Sequence, residues 1–322
     1  MGWENSSSRS NYWRNLARTD HLSHGIDSLN CTLASLCETA AMGFGPTKTG
    51  AFTALIPCLP MFFSTWETYH THTLYLGYFN GPTEGLLLAC SLMAGSGFYG
   101  PDIWRVPIAD WVGYEEILGS HSLRDLWVPI ILFAFFTAHV PACIQHVVQA
   151  RRRQNLPVLP VFLEWTPIVV YVLSCSAWLG SPYSSMLSHN RLVLFCLTMS
   201  FVFGRLTTKI ILHHLTRQPF PYWTVLLVPL VGGAMLGNLP RFGLPAINPT
   251  AELWYLRGYF VFALVAYMRW ATIVIDKICT YLDINCLTIK RRGIEKSHPK
   301  KSSSTNGRVT RSMANGTPKK TE

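Results

Sequence analysis

The chain has 322 residues, 49% hydrophobic and only 14% charged, where an ordinary soluble domain carries roughly 25% charged residues. Lys and Arg number 27 against 17 Asp and Glu, a formal charge of +10, and the mean hydropathy is +0.22. These values exclude a disordered chain, a disulfide scaffold and most soluble enzymes. They leave a membrane protein with basic ends. A basic chain invites a nucleic-acid reading. Here, however, the charge sits in short loops and a tail between long apolar stretches, and no nucleic-acid partner is expected.

A bilayer-spanning helix needs about 20 mostly apolar residues. In chain order the windows that qualify or come close are 26–44, 50–66, 83–101, 126–146, 159–179, 192–212, 222–239 and 253–282. The fold class expected is therefore all-α, a polytopic membrane helix bundle of about eight spans. The first window is the least apolar, with Asp27, Asn30 and Glu38 inside it. Prolines recur at the window edges, at Pro46, Pro82, Pro101, Pro157, Pro182, Pro219, Pro240 and Pro249, as expected where helices stop. No signal peptide or internal repeat is visible. The organisation expected is a polar N-terminal tail over 1–25, a transmembrane domain over 26–289 and a disordered basic tail over 290–322.

Loop charge gives orientation. One side would hold Arg9, Arg14, Arg18, the Arg151–Arg153 run, Arg217 and the basic tail. The other would hold Lys48, Arg105, Arg124, Arg191 and Arg241, with Asp102, Asp110, Glu115, Glu116 and Asp125 in its longest loop. Both termini are expected in the cytosol, so the sequons at Asn5 and Asn315 should stay unmodified. The nine scattered cysteines form no C-x-x-C pair and indicate neither a zinc site nor a disulfide framework.

Ionisable groups in a span are costly and usually face a cavity or partner. Asp20, His24 and Asp27 stand at i, i+4 and i+7 and share one helix face. A carboxylate and an imidazole at that spacing suit a divalent cation or general-base work. They equally suit a helix N-terminus with its polar groups near the headgroups. The second stretch of interest runs from Thr65 to Gly85 and holds Glu67, His70, Asn80 and Glu84. It reads either as a site or as an interfacial aromatic belt with a Gly-Pro turn. Lys209 and His213 near the end of the sixth window, and Arg269 in the last, are read as snorkelling groups.

The run His24-Gly-Ile-Asp27-Ser-Leu-Asn30, followed by Thr65-Trp-Glu-Thr-Tyr-His70 and Asn80-Gly-Pro-Thr-Glu-Gly85, strongly resembles the eukaryotic choline/ethanolamine phosphotransferases, with the fungal branch nearest. These enzymes form part of the CDP-alcohol phosphotransferase family, and the resemblance covers roughly residues 20–290. It implies transfer of phosphocholine or phosphoethanolamine from CDP-choline or CDP-ethanolamine to diacylglycerol, with CMP leaving. It also implies Mg²⁺ or Mn²⁺, an endoplasmic reticulum or Golgi membrane, and a possible homo- or heterodimer. On this resemblance Asp27 and His24 would be catalytic, and Glu67, His70, Asn80 and Glu84 would bind substrate. Asp27 would be a metal ligand, and Asp20 is the nearest candidate for a second.

The family signature is D-x-x-D-G-x-x-A-R-x(8)-G-x-x-x-D-x-x-x-D. Laid back from Asp27, its third aspartate falls on Ser23, its glycine on Thr19, its arginine on Ser10 and its two earliest aspartates on Asn5 and Gly2. The family has about ten spans, two of them ahead of the one over 26–44. The resemblance therefore implies that the chain lacks an N-terminal part, as an incomplete gene model, a shortened isoform or a decayed paralogue would. As written it is expected to be impaired. The alternative is a catalytically inactive relative that partners or regulates active phosphotransferases.

Overall fold

The structure is a computed structural model, and it describes residues 20–72, 82–113 and 120–282. The expectations for the tails, Asn80, Glu115 and Glu116 lie outside the described residues, as do the side chains of Asp20, His24 and Glu84. In chain order the α-helices are α1 (Asp20–Ala41), α2 (Lys48–Leu55), α3 (Cys58–Thr71), α4 (Pro82–Tyr99), α5 (Ile108–Val112), α6 (Leu123–Ala134), α7 (Val140–Arg153), α8 (Thr166–Gly180), α9 (Leu192–Leu215), α10 (Leu227–Leu236) and α11 (Pro249–Leu282). Among the described residues the only β pairing is an isolated bridge, Pro107 with Ser122. The chain is an all-α, multi-pass membrane bundle.

Among the described residues four stretches are long and apolar enough to cross a bilayer: Leu123–Arg153, Leu159–Gly180, Leu192–Leu215 and Pro249–Tyr281. They answer the windows 126–146, 159–179, 192–212 and 253–282. Two of the other windows need correction. The window 50–66 is divided between α2 and α3 at Ile56 and Pro57, because proline offers no N–H and its ring crowds the preceding turn. The window 222–239 holds only the ten residues of α10, about 15 Å of helix and half a hydrocarbon core. Pro229 and the Gly232-Gly233 pair explain that brevity.

Local rules set most helix ends. Thr47 caps α2 by accepting a hydrogen bond from Gly50 N at 3.0 Å. Ser122 and Asp125 close a capping box at the start of α6. Between α6 and α7 a π turn runs over Phe135–His139, where Val140 N donates to Phe135 O. Pro141 follows immediately and has no N–H with which to restore the ordinary α register.

The core lies where α1, α3, α8 and α9 meet, around Trp66, Tyr171, Trp178, Phe195 and Phe203. The least apolar window found its place by helix periodicity. Ser28, Thr32, Ser35 and Thr39 of α1 are all buried and recur along one face. Ser35 Oγ and Thr39 Oγ1 donate back to the carbonyls of Cys31 and Ser35, so small polar residues pack with their hydroxyls satisfied. That face meets α9. A Cβ on Gly204 would stand 2.9 Å from Leu29 Cγ, and Ser200 Oγ donates to the Leu29 carbonyl.

Candidate functional site

The ends of α3, α7 and α9 and the start of α8 gather at one end of the bundle. Two buried carboxylates sit there, each facing histidine. Glu67 of α3 is 4% exposed, and its Oε1 shares a hydrogen bond of 2.5 Å with His146 Nδ1 of α7. Cys143 Sγ donates to Glu67 Oε2 at 3.1 Å, and His139 Nε2 lies 3.7 Å from that sulfur. His139, Cys143 and His146 are spaced i, i+4 and i+7, one face of α7 and the π turn before it. His139 is itself anchored by Pro60 O at 3.2 Å.

The second carboxylate, Glu164, lies in the 3₁₀ turn Leu159–Trp165 that leads into α8. Its Oε2 accepts from Trp66 Nε1 at 2.9 Å and stands 2.6 Å from His70 Nε2. Trp66 and His70 are one helical turn apart, so a single face of α3 presents both donors. Further out, Tyr69 Oη donates to Gln218 O at 2.7 Å and His214 Nδ1 to Tyr69 O at 3.3 Å. The rings of His72 and His214 lie 4.8 Å apart. His72 ends α3 with φ of 56°, and the packing around it, with Arg217 and His70 adding repulsion, holds its imidazole below the usual range.

The structure thus brings Glu67 and His70 to one end, buried and each bonded across the bundle rather than to each other. Asp27 is exposed on α1. Glu84 opens α4. Three partners escaped the reading of the sequence: His146, Cys143 and Glu164. Two signals point to them. Glu164 is an acid inside an apolar window, which by itself marks a site or a partner. His139, Cys143 and His146 repeat at helical spacing just before the Arg151–Arg153 run.

An apolar cavity of about 260 Å³ opens between α2 and α8, lined by Phe52, Leu55, Tyr171, Cys175 and Leu179, with Lys48 at its edge. Among the described residues no group of three or more His, Cys, Asp or Glu side chains is placed to hold a metal ion. Glu67 and Glu164 are engaged by His, Cys and Trp. The described residues therefore do not fit the two-cation centre that the signature implies, and the arrangement they do form is suited to holding and passing protons.

No family model matches the chain. Among curated proteins it is 30% identical over 290 residues to choline/ethanolaminephosphotransferase 2 of Arabidopsis thaliana, covering 84% of this chain and 70% of that protein. Cholinephosphotransferase 1 of Saccharomyces cerevisiae matches at 28% over 308 residues, 86% of this chain and 70% of the yeast protein. An uncharacterized CDP-alcohol phosphatidyltransferase class-I family protein 3 of Dictyostelium discoideum matches at 28% over 291 residues, with 84% and 70% covered. Sequence likeness of this length, in an all-helical membrane bundle, settles the kinship: the chain belongs to the CDP-alcohol phosphatidyltransferase family, among relatives that include the choline/ethanolaminephosphotransferases.

Proposed function

We propose that this chain transfers phosphocholine or phosphoethanolamine from a CDP-alcohol to diacylglycerol, the last step in making phosphatidylcholine or phosphatidylethanolamine. The observation that carries the reading is the match at 30% identity to a choline/ethanolaminephosphotransferase. The buried glutamate–histidine pairs at one end of the bundle support it chemically. In the reaction the diacylglycerol hydroxyl oxygen attacks the phosphorus that bears the alcohol. The bond from that phosphorus to the bridging oxygen breaks, and CMP leaves with the electron pair. Asp27 is the proposed acceptor of the hydroxyl proton, with His24 beside it in sequence. Glu67 orients His146, whose side chain is 38% exposed, and Glu164 orients His70. Both pairs can hold or pass a proton near the reacting groups. Asn80 and Glu84 complete the proposed substrate-binding set. The cavity beside Tyr171 would suit an acyl chain.

The family's reaction uses a divalent cation, Mg²⁺ or Mn²⁺, to screen the pyrophosphate. The described residues do not form a site for it. On the positive-inside rule the basic loops support a cytosolic side for both termini, and the proposed membrane is that of the endoplasmic reticulum or Golgi. Pairing with a second copy or a related chain also belongs to this proposal.

A second reading is favoured by the sequence. Asp27 is the one signature aspartate it meets, so the chain suits a catalytically inactive relative that partners an active phosphotransferase. Expression in cells stripped of their own choline/ethanolamine phosphotransferases separates the two. CDP-choline or CDP-ethanolamine incorporation that requires Mg²⁺ or Mn²⁺ and is lost in Asp27→Asn supports transfer. No incorporation at matched expression supports the inactive partner and overturns the first reading.

A further inference from the structure

α9 carries two cations, Arg205 and Lys209, one helical turn apart and so on one face. Both are half-buried, within a helix long and apolar enough to cross a membrane. Cations in such a helix are costly unless something meets their charge. Their protein partners are all neutral. Arg205 Nη1 donates to Ala266 O of α11 at 3.3 Å, and its guanidinium stands 4.8 Å over the Trp270 ring. Lys209 Nζ donates to Trp223 O at 2.8 Å. Among the described residues neither cation forms an ion pair. Lys209, expected to snorkel, reaches the Trp223 carbonyl of the segment that follows the helix. Guanidinium and ammonium both keep donors beyond these bonds.

Depth narrows the ligand. At 1.5 Å per residue, Lys209 stands about 9 Å and Arg205 about 15 Å from the helix end at Leu215. Trp223 and Trp270 flank the pair, and tryptophans favour headgroup level. α11 also exposes Met268, Ile273 and Ile275, which lie between Ala266 and the end of that helix at Leu282. A dissolved anion would have to cross that apolar wall, whereas a lipid phosphate arrives at this level by lateral diffusion.

We infer that Arg205 and Lys209, between α9 and α11, hold the phosphate of an anionic glycerophospholipid. Two single positive charges match a phosphomonoester, which carries about −1.5 to −2 near neutral pH. A zwitterionic lipid would bring its own ammonium against them. This inference does not depend on the transfer reaction, because it concerns a charged pair that the proposed chemistry does not use.

The test uses the full chain in detergent micelles, with lipid retention read by native mass spectrometry. Phosphatidic acid, phosphatidylcholine, inorganic phosphate and CDP-choline are added in separate arms. Phosphatidic acid should bind at least tenfold more tightly than phosphatidylcholine. The double substitution Arg205→Gln with Lys209→Gln should erase that preference, and Lys209→Arg should keep it. Equal retention of phosphatidic acid by the double variant overturns the inference. So does its displacement by inorganic phosphate or CDP-choline, which would assign the pair to a soluble phosphate. Should the double variant fail to fold, Lys209→Gln alone is expected to weaken phosphatidic acid at least threefold, and unchanged retention overturns the site.

Discussion

The two ends of the bundle each bury glutamate, and they do it differently. At the end opposite the candidate site, Glu252 of α11 is 1% exposed. It accepts from Trp178 Nε1 at 2.9 Å, Ser184 Oγ at 2.7 Å, Ser185 N at 2.8 Å and Ser185 Oγ at 2.5 Å. Arg191 stands 3.9 Å away and donates to Ser185 Oγ and Pro249 O. Serine hydroxyls, an indole and a backbone amide do not titrate near neutral pH. Glu67 and Glu164 each meet an imidazole as well, that of His146 and that of His70, a group that exchanges protons near neutral pH, beside the Cys143 thiol and the Trp66 indole. One end ties α8, α11 and the segment between α8 and α9 into a fixed knot. The other stores groups whose protons can move.

The largest break in that contrast should come from the knot. Glu252→Ala removes a carboxylate whose donors are buried with it, leaving the Trp178 indole and two serines without their acceptor and Arg191 without its counter-ion. Removing one partner of a buried charged network costs about 3–5 kcal/mol. The unfolding midpoint in detergent should fall by several degrees or more. A shift no larger than that of a surface control would show that the knot is ornamental. The neighbouring packing supports a large effect, since a Cβ on Gly233 of α10 would lie 2.1 Å from the Trp178 ring, so the indole has no room to seek another acceptor.

Glu67→Gln sharpens the comparison from the other side. The amide keeps the shape and one acceptor, so the stability loss should stay near 1–2 kcal/mol, smaller than at Glu252. Its effect should appear in turnover instead. An amide cannot fix the imidazole of His146 as a carboxylate does, and losing positioned acid–base help costs about 10² in rate. In the incorporation assay the variant should fall by about that factor while expression and melting stay close to the parent. A variant as active as the parent would move His146 out of the chemistry and leave Glu67 with a packing role.

Much of the fold was legible because its causes are local. Hydropathy marks the four long spans, and Pro57 and Gly232-Gly233 carry the physical reason that two other windows are broken or short. Glu67 and His70 could be singled out because acids and histidines are scarce beside apolar helices. Their partners could not, since Glu67 meets His146 across 79 positions of sequence and His70 meets Glu164 across 94. Spacing along a chain carries no information on which helices pack together. Glu252 was overlooked for a related reason. It sits one residue before the last window, where a carboxylate near a helix start is ordinary, and only the loop folded over it makes it a knot.

The smallest expected effect lies at Cys143, and it separates donor chemistry from shape. Its thiol gives Glu67 a bond at 3.1 Å while buried. Cys143→Ser offers a stronger donor in nearly the same volume, so stability should change by less than about 1 kcal/mol and turnover should hold. Cys143→Ala removes the donor altogether and should cost about 1 kcal/mol. With one acceptor bond gone, Glu67 would lean on His146 alone. Less firmly held, that carboxylate would position His146 less well, so incorporation should fall modestly in the alanine variant and hold in the serine variant. Equal incorporation by both would mean that the thiol only fills space, and that the reactive end is specified by its two glutamate–histidine pairs without the sulfur between α3 and α7.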